Sequence, residues 1–194
     1  VRSIPTNSSV GDEAVAERMV ALVEEVIHET RLETQASRDD FVGIGVGAPG
    51  PLDREQGVVL IAPNLGWKDF PLRQRIADGL GIPAVLDNHA NCAAVGEWWQ
   101  GAARRTVNAL CLTIGTGIGG GIIIDGKLYH GASSAAGELG HTTIDVGGRR
   151  CKCGNYGCIE AYASGPAIAA RAVEALEAGA ESKLAVRVGG EVAR

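Results

Sequence analysis

The sequence predicts an α/β fold with mixed sheets, in which short apolar strands alternate with amphipathic helices. Residues 108–114 (NALCLTI) form an apolar run that is typical of a buried strand. Residues 12–26 place apolar side chains at three- and four-residue spacing, as on one face of a helix. Asp125-Gly126 lies between two apolar runs and is typical of a hairpin turn. Alternating helices and strands indicate the α/β class, and the hairpin indicates that part of the pairing is antiparallel.

The composition limits the classes of function. Of 194 residues, 45% are hydrophobic and 4% aromatic, so a large core is available and is mostly aliphatic. The net charge of −5 argues against a general nucleic-acid binder, which needs a basic surface. We find neither an apolar run of the ~18 to 20 residues that a membrane span requires nor a signal peptide. Thiols grouped as metal ligands favour a reducing compartment, so we expect a cytoplasmic protein without membrane or nucleic-acid partners.

The first elements along the chain follow from hydrophobic periodicity. A polar lead-in over residues 1–11 precedes a helix that begins at Asp12, and the polar residues 31–40 predict a loop. The apolar runs 41–46 and 58–61 predict short buried strands, the first of which enters a Gly/Pro loop.

A loop and a second helix are predicted next. Residues 64–70 (NLGWKDF) are assigned to a loop that contains Trp67. Pro71 stands where a helix can begin, and Gly81 where it can end. The apolar face of this helix consists of Leu72, Ile76 and Leu80.

The second half of the chain has the clearest patterns. A strand at 83–86 leads into an Ala-rich helix that ends near Gly101, and the strand 108–114 leads into a glycine-rich loop. Residues 122–125 and 127–129 predict a hairpin. A last helix is predicted from about Pro166 to Ala178, and the residues after it are ambiguous.

Residues 137–160 (GELGHTTIDVGGRRCKCGNYGCIE) contain four metal-ligand types, namely His141, Cys151, Cys153 and Cys158. Zinc takes four such ligands in a tetrahedron when its role is structural. Gly154 and Gly157 lie between the ligands, where a tight turn needs glycine. Ordinary buried thiols are the alternative, but three cysteines within eight residues make it a poor one. A disulfide would leave one cysteine over, and no redox CxxC motif is present, so we expect a closed Cys3His zinc site.

Two carboxylates flank this cluster, Glu138 before it and Glu160 after it. A rigid metal-bound loop would hold both at fixed positions. Solvated surface acids, the usual fate of glutamate, are the alternative.

The segment 114–121 (IGTGIGGG) follows the strongest predicted strand and contains five glycines. Such a loop lets the backbone approach a ligand, and its N–H groups can bind an anion, with the hydroxyl of Thr116 as a further donor. An apolar strand-like stretch follows instead of a helix, so a Rossmann site is disfavoured, and no GK[ST] motif supports a Walker loop. The sequence favours a hairpin-type phosphate loop; a glycine-rich hairpin without ligand is the alternative.

These motifs together resemble a known family. LTIGTGIGGGIIIDGKLYHGASSAAGELGH followed by CKCGNYGCIE is similar to the ROK family of repressors and sugar kinases, and most similar to its glucokinase branch. Residues 45–53 (GVGAPGPLD) and 63–72 (PNLGWKDFPL) fit the same pattern. The resemblance implies a two-domain actin-like ATPase (ribonuclease H-like) fold, a structural zinc ion, and phosphorylation of a hexose by ATP with Mg²⁺, here glucose to glucose 6-phosphate.

The resemblance also implies roles for single residues. It assigns zinc to His141, Cys151, Cys153 and Cys158, the sugar to Asn88, Glu138, His141 and Glu160, and the phosphates to Gly115, Thr116, Gly117 and Gly119. Carboxylates suit a sugar because each accepts hydrogen bonds from two hydroxyls. The imidazole of His141 can bind the metal through one nitrogen and a sugar hydroxyl through the other.

One position departs from the family pattern. Family kinases have an Asn-Asp pair at the end of the strand before the Ala-rich helix, and the Asp is the general base. Here the motif is Asp87-Asn88-His89, so His89 stands at the position of the base. His89 can itself accept the proton, Asp87 can substitute for it, or the protein binds sugar without turnover, as repressor members of the family do.

The resemblance also predicts which part of a family member this chain represents, and it leaves two alternative functions open. Neither the family's opening phosphate loop nor its late adenosine contact is recognisable, so we expect the central part of a kinase: residues 1–88 from a small domain and 89–194 from a large one whose C-terminal part is missing. We expect a homodimer or homotetramer. A sugar-sensing regulator with a DNA-binding segment before Val1 and a zinc-stapled interaction domain are the alternatives. The preferred hexose, and ATP against polyphosphate as donor, are open.

Overall fold

The computed structural model describes residues 1–62 and 65–184, which form two compact units. The first unit contains residues 1–92 together with the short segment 130–135, and the second contains the rest of the described chain. Each unit is described separately below. The predicted division into domains at residues 88 and 89 stays a prediction, and residues 185–194 of its second domain lie outside the described residues.

The first unit begins with the long helix α1, Asp12–Thr34. The predicted loop over 31–40 is therefore wrong in its first part. The hydroxyls of Thr30 and Thr34 donate to carbonyls four residues earlier, so these polar side chains are satisfied within the helix. Gln35 ends the helix in a left-handed conformation, with φ of 60°.

The strands β1 (Ile44–Ala48) and β5 (Ala84–Asn88) pair in parallel. The sequence predicted both strands but placed β1 two to three residues and β5 one to two residues too early. The register pairs Ala48 with Asn88, so the pairing extends to the polar end of β5, where hydrophobicity gives no signal.

A three-stranded antiparallel sheet contains β2 (Leu52–Asp53), β3 (Val58–Ala62) and β4 (Trp67–Phe70). The predicted loop over 64–70 is wrong in its second part, because Trp67–Phe70 is a strand, and residue 64 lies outside the described residues. Trp67 is only 2% exposed and stacks on Phe70 with ring centroids 4.7 Å apart. The two polar residues between these aromatics break the alternation that would have revealed a strand.

The core of the first unit is aliphatic, with one aromatic pair. Helix α2 (Leu72–Leu80) buries Leu72, Ile76 and Leu80, as predicted, and Gly81 ends it with φ of 64°. The other buried members of this core are Val15, Ala16, Ile27, Val46, Ala48, Leu52, Val59, Ala62, Trp67, Phe70, Ile82 and Leu86.

The second unit contains the antiparallel sheet of β6 (Ala109–Ile114), β7 (Ile118–Ile124) and β8 (Lys127–Leu128). The predicted hairpin turn is present, with Asp125 and Gly126 both at positive φ, as a type I′ turn requires. Parallel and antiparallel pairing both occur in the chain, although each sheet of the described chain contains only one kind.

Three helices complete the described elements. Helix α3 (His89–Gln100) begins in the first unit and continues into the second. The short α4 (Glu160–Ala163) was not predicted, and α5 (Gly165–Glu177) matches the predicted last helix. No helix among residues 1–62 and 65–184 combines the length and the apolar character needed to cross a membrane.

Candidate functional site

The second unit brings together the four residues that the sequence assigned to zinc. One ligand atom each from His141, Cys151, Cys153 and Cys158 lies within 4.8 Å of the other three. The Nδ1 of His141 is 3.7 Å from the Sγ of Cys151, and the Sγ atoms of Cys153 and Cys158 are 3.7 Å apart. A tetrahedron with Zn–S bonds of ~2.3 Å has edges of about 3.8 Å. The cluster therefore fits a zinc ion, and the sulfur distance excludes a disulfide between Cys153 and Cys158.

The three thiols of the cluster need a bound cation in order to be ionised together. Burial and the neighbouring thiols raise the pKa of Cys158 to about 12. A hydrogen bond from the backbone of Asn155 lowers the pKa of Cys153. Three thiolates repel one another at this distance, and a bound zinc ion would remove that repulsion and keep all three ionised.

A tight backbone turn presents the cysteines. The amide of Cys151 donates to the carbonyl of Asn155 at 2.8 Å, and that of Gly154 donates to the carbonyl of Cys151 at 3.1 Å. Gly154 and Gly157 have φ of 99° and 72°, so glycine is required here for the reason that the sequence suggested. At Gly157 a Cβ atom would also lie 1.6 Å from the carbonyl oxygen of Asp145.

His141 and Glu138 share one turn of 3₁₀ helix. The amide of His141 donates to the carbonyl of Glu138 at 3.1 Å. Because Nδ1 of His141 faces the cluster, its Nε2 is the nitrogen left for a hydroxyl. The carboxylate of Glu138 is exposed and has no hydrogen bond or ion pair with any described residue. Both side chains are therefore available to a polar ligand.

The glycine-rich segment forms a shorter turn than the sequence predicted. Ile114 pairs with Ile118 and Thr113 with Gly119, so the turn contains only Gly115, Thr116 and Gly117. Gly119 is part of β7, because the strand pairing continues through the glycines. The phosphate role of Gly119 stays a prediction, but this residue does not lie in the turn.

Glu160 connects the metal cluster with this turn. Its Oε2 accepts a hydrogen bond from the amide of Ile118 at 2.8 Å. Its Oε1 lies 3.9 Å from the Sγ of Cys151. One oxygen is thus bound to the protein backbone, and the sequence gave no sign of this contact.

The remaining predicted residues lie at the end of β5 in the first unit. Asn88 caps helix α3, since its Oδ1 accepts from the amide of Ala90 at 2.8 Å. The Nδ1 of His89 lies 3.2 Å from the carbonyl oxygen of Ala48. A carbonyl only accepts hydrogen bonds, so Nδ1 carries a proton, which leaves Nε2 of the exposed imidazole as the nitrogen that can accept one.

Asp87 is surrounded by donors. Its Oδ1 accepts from the amide of Asn88 at 2.7 Å and from Nδ2 of Asn91 at 3.0 Å. Its Oδ2 is 2.9 Å from Nε2 of His130 and 2.9 Å from Nε of Arg54. Burial alone would raise the pKa of Asp87, but these hydrogen bonds and the Arg54 charge outweigh burial and lower it. A carboxylate held in this way is a weak base, so the geometry favours His89 over Asp87 in the catalytic role.

Sequence reasoning missed His130 and Arg54. His130 lies 43 residues from Asp87 along the chain, in the short segment that belongs to the first unit. The available signal was its place directly after the hairpin, in a chain with only four histidines. Arg54 follows the short strand β2 and carried no signal of its own.

Comparison with known proteins gives the context of these residues. The family model described as ROK family matches residues 7–193. The glucokinase of Halalkalibacterium halodurans is 40% identical over 94% of this chain, which covers 54% of that protein. The xylose repressor of Caldicellulosiruptor bescii is 37% identical over 91% of this chain, which covers 44% of that protein. The chain thus spans about half the length of these relatives.

A solved structure supports the same relationship. The ROK family glucokinase from Streptomyces griseus, in complex with glucose and AMPPNP, is 36% identical and superposes with a TM-score of 0.73. The superposition covers 91% of this chain and 56% of that one. The predicted actin-like ATPase fold of the sugar kinases is confirmed. The motifs, the fold and the extent of the family match lead to one conclusion: this chain belongs to the ROK family.

Proposed function

We propose that the chain forms the central part of an ATP-dependent hexose kinase that converts glucose to glucose 6-phosphate. The observation that carries this proposal is the 3.2 Å contact between Nδ1 of His89 and the carbonyl oxygen of Ala48. This contact requires a proton on Nδ1, so Nε2 would be the nitrogen that takes a proton from a sugar hydroxyl. The departure from the family pattern at this position is therefore compatible with catalysis.

The reaction assigns a role to each group. Asn88, Glu138, His141 and Glu160 would hold the sugar hydroxyls. The deprotonated hydroxyl oxygen attacks the γ-phosphorus, the bond to the β-phosphate oxygen breaks, and ADP leaves while Nε2 of His89 keeps the proton. The turn 115–117 would donate N–H groups to phosphate, and Mg²⁺ would offset the phosphate charge. Zinc in the Cys3His cluster would have a structural role.

A regulator that binds sugar without turnover is the second candidate. It is favoured by His89 at the position of the family's base and by the similarity to a xylose repressor. Both candidates use the same sugar-binding residues. They differ in whether bound sugar is phosphorylated.

The test is a coupled assay of ADP release with glucose and Mg-ATP on the full-length protein. We expect turnover in the parent and a loss of about 10² to 10⁴-fold in His89→Ala, which removes the general base. Turnover in His89→Asp shows that an aspartate can replace the histidine. If the parent shows no turnover and His89→Asp is active, His89 is not the base. This result would favour a regulator that binds sugar without turnover.

Sugar binding is measured separately by calorimetry. Glu138→Ala should weaken glucose binding at unchanged melting temperature, because Glu138 has no described protein partner to lose. Lys152→Ala, an exposed change near the cluster, is the control. Unchanged glucose affinity in Glu138→Ala would contradict the assignment of the sugar site.

A further inference from the structure

The residues that follow the Cys3His cluster in the chain also contact the glycine turn, which consists of Gly115, Thr116 and Gly117. Cys158 is the last cluster residue, and helix α4 begins two residues later at Glu160. The amide of Ile159 donates to the carbonyl of Thr142 at 3.0 Å, and the amide of Ala161 donates to that of Cys158. The backbone at Glu160 is therefore fixed on both sides by the loop that contains the Cys3His cluster.

The side chain of Glu160 reaches from this loop to the turn. Its Oε2 accepts from the amide of Ile118 at 2.8 Å, the first residue after the turn. Its Oε1 is 3.9 Å from the Sγ of Cys151, so the same carboxylate contacts a cluster residue. The half-buried position of Glu160 strengthens its hydrogen bond with the Ile118 amide by limiting competition with water.

The turn is shaped to admit this carboxylate. A Cβ atom at Gly117 would lie 2.6 Å from Oε2 of Glu160, so only glycine leaves room for the contact. At Gly115 a Cβ atom would meet nothing within 4 Å. On the other side of the turn, the amide of Gly165 donates to the carbonyl of Gly115 at 2.8 Å. Residues 160–165 therefore hold both ends of the turn.

We propose that Glu160 is a positioning residue that couples metal loading of the Cys3His cluster to the order of the glycine turn. With metal bound, the loop holds the carboxylate against the Ile118 amide and fixes the turn. Without metal, the loop relaxes, the carboxylate leaves, and the turn loses one of its two attachments. The consequence for nucleotide binding rests on the proposed function. The metal would then control the order of the phosphate-binding turn without contacting that turn.

The coupling is tested by hydrogen exchange of the Ile118 amide, which needs neither sugar nor nucleotide. We expect exchange in the zinc-loaded protein to become about tenfold faster after chelation, because loss of one charge-assisted hydrogen bond corresponds to roughly that factor. Glu160→Ala and Gly117→Ala should accelerate it to a similar extent while about one zinc per chain remains bound. Chelation should then add little at Ile118 in either variant.

Matched controls separate this coupling from general loosening. Gly115→Ala lies in the same turn but adds no contact, so it should leave the Ile118 amide unchanged. Glu160→Gln keeps a carbonyl acceptor and should restore slow exchange. The Ile123 amide of β7 should stay protected in the zinc-loaded variants. Wild-type exchange at Ile118 in zinc-loaded Glu160→Ala and Gly117→Ala would overturn the proposal.

Affinity for AMPPNP with Mg²⁺, measured after the chelator is removed by dialysis, gives the functional readout. We expect the Kd to rise by about tenfold in the zinc-free protein and in zinc-loaded Gly117→Ala, relative to the zinc-loaded parent. If the parent binds no AMPPNP, the proposed kinase function fails, and the exchange of Ile118 still decides the coupling.

Discussion

At the scale of single residues, the carboxylate of Asp87 links four parts of the first unit. It contacts the end of β5, the first turn of α3 through Asn91, the residue after β2 through Arg54, and the segment 130–135 through His130. Asn88 and His89, which we propose as a sugar ligand and as the general base, follow it directly in the chain. Asp87 thus positions the two residues to which we assign chemistry.

This role predicts a specific response to acid. The pKa of Asp87 lies below its unfolded value of 3.8, so its contribution to stability is complete above that value and is lost as pH falls through the folded pKa. Asp87→Asn should lower the free energy of unfolding at neutral pH by roughly 1 to 3 kcal/mol, because it leaves the Arg54 guanidinium without its counter-charge. It should also make the loss of stability below about pH 4 less steep.

Urea unfolding across the acid range measures both effects. Asp39→Asn, an exposed change away from this network, should retain the pH slope of the parent. Equal slopes in the parent and in Asp87→Asn would show that the Asp87 contacts do not stabilise the folded state.

Residues whose partners are near in sequence were predicted well. His141 and the three cysteines occur within eighteen positions and share one chemistry, so spacing alone predicted the cluster that the structure shows. The contact between Asp87 and His130 joins residues 43 positions apart, and no local pattern encodes it. The contact of Glu160 with the Ile118 amide was hidden because a backbone group is the partner.

At the scale of elements, Gly154 and Gly157 form a matched pair for substitution in the loop that contains the Cys3His cluster. Both have positive φ, so alanine at either should cost about 1 kcal/mol in backbone strain. Only at Gly157 does a Cβ atom also collide with backbone, 1.6 Å from the carbonyl oxygen of Asp145. At Gly154 nothing lies within 4 Å.

We therefore expect Gly154→Ala to retain about one zinc per chain and Gly157→Ala to lose most of it, because the second change must displace the loop. Zinc content by atomic absorption, with the melting temperature, measures the difference. Equal zinc content in the two variants would mean that the loop tolerates displacement at Gly157.

Helices α2 and α5 were predicted with their ends, whereas the ends of strands β1 and β5 were not. The register of β1 and β5 extends into polar residues, since the hydrogen bonds of the ladder do not depend on hydrophobicity. Strand β4 was missed because Lys68 and Asp69 separate its two buried aromatics. The glycines of β7 suggested a long loop, although pairing with β6 keeps Gly119 in the strand.

At the scale of the whole molecule, the two units differ in how they are stabilised. The large core cluster lies entirely in the first unit, whereas Cys151 and Cys158 are among the few buried side chains described in the second. Metal binding to a folded site contributes directly to stability. The second unit should therefore depend on zinc more than the first.

Tryptophan fluorescence can separate the units, because Trp67 belongs to the first and Trp98 and Trp99 to the second. In a Trp67→Phe variant, a chelator should lower the melting temperature reported by Trp98 and Trp99. In a variant with Trp98→Phe and Trp99→Phe, the transition reported by Trp67 should change much less. Equal shifts in both variants would indicate that the chain unfolds as one unit.

The fold class was within reach of the sequence because long motifs that resemble one family pattern run from the hairpin to the cysteine loop. The return of residues 130–135 to the first unit was not within reach. It depends on contacts such as that of His130, which follow from tertiary packing.

That return has a consequence for anyone who wishes to dissect the protein. The main chain passes between the units three times, after Cys92, after Tyr129 and after Ala135. A fragment cut at Cys92 would contain nearly all of the first core but would lack His130, and Asp87 would lose one of its donors. The first unit is therefore not a contiguous module, and expressing it alone requires residues 130–135 to be grafted back through a linker.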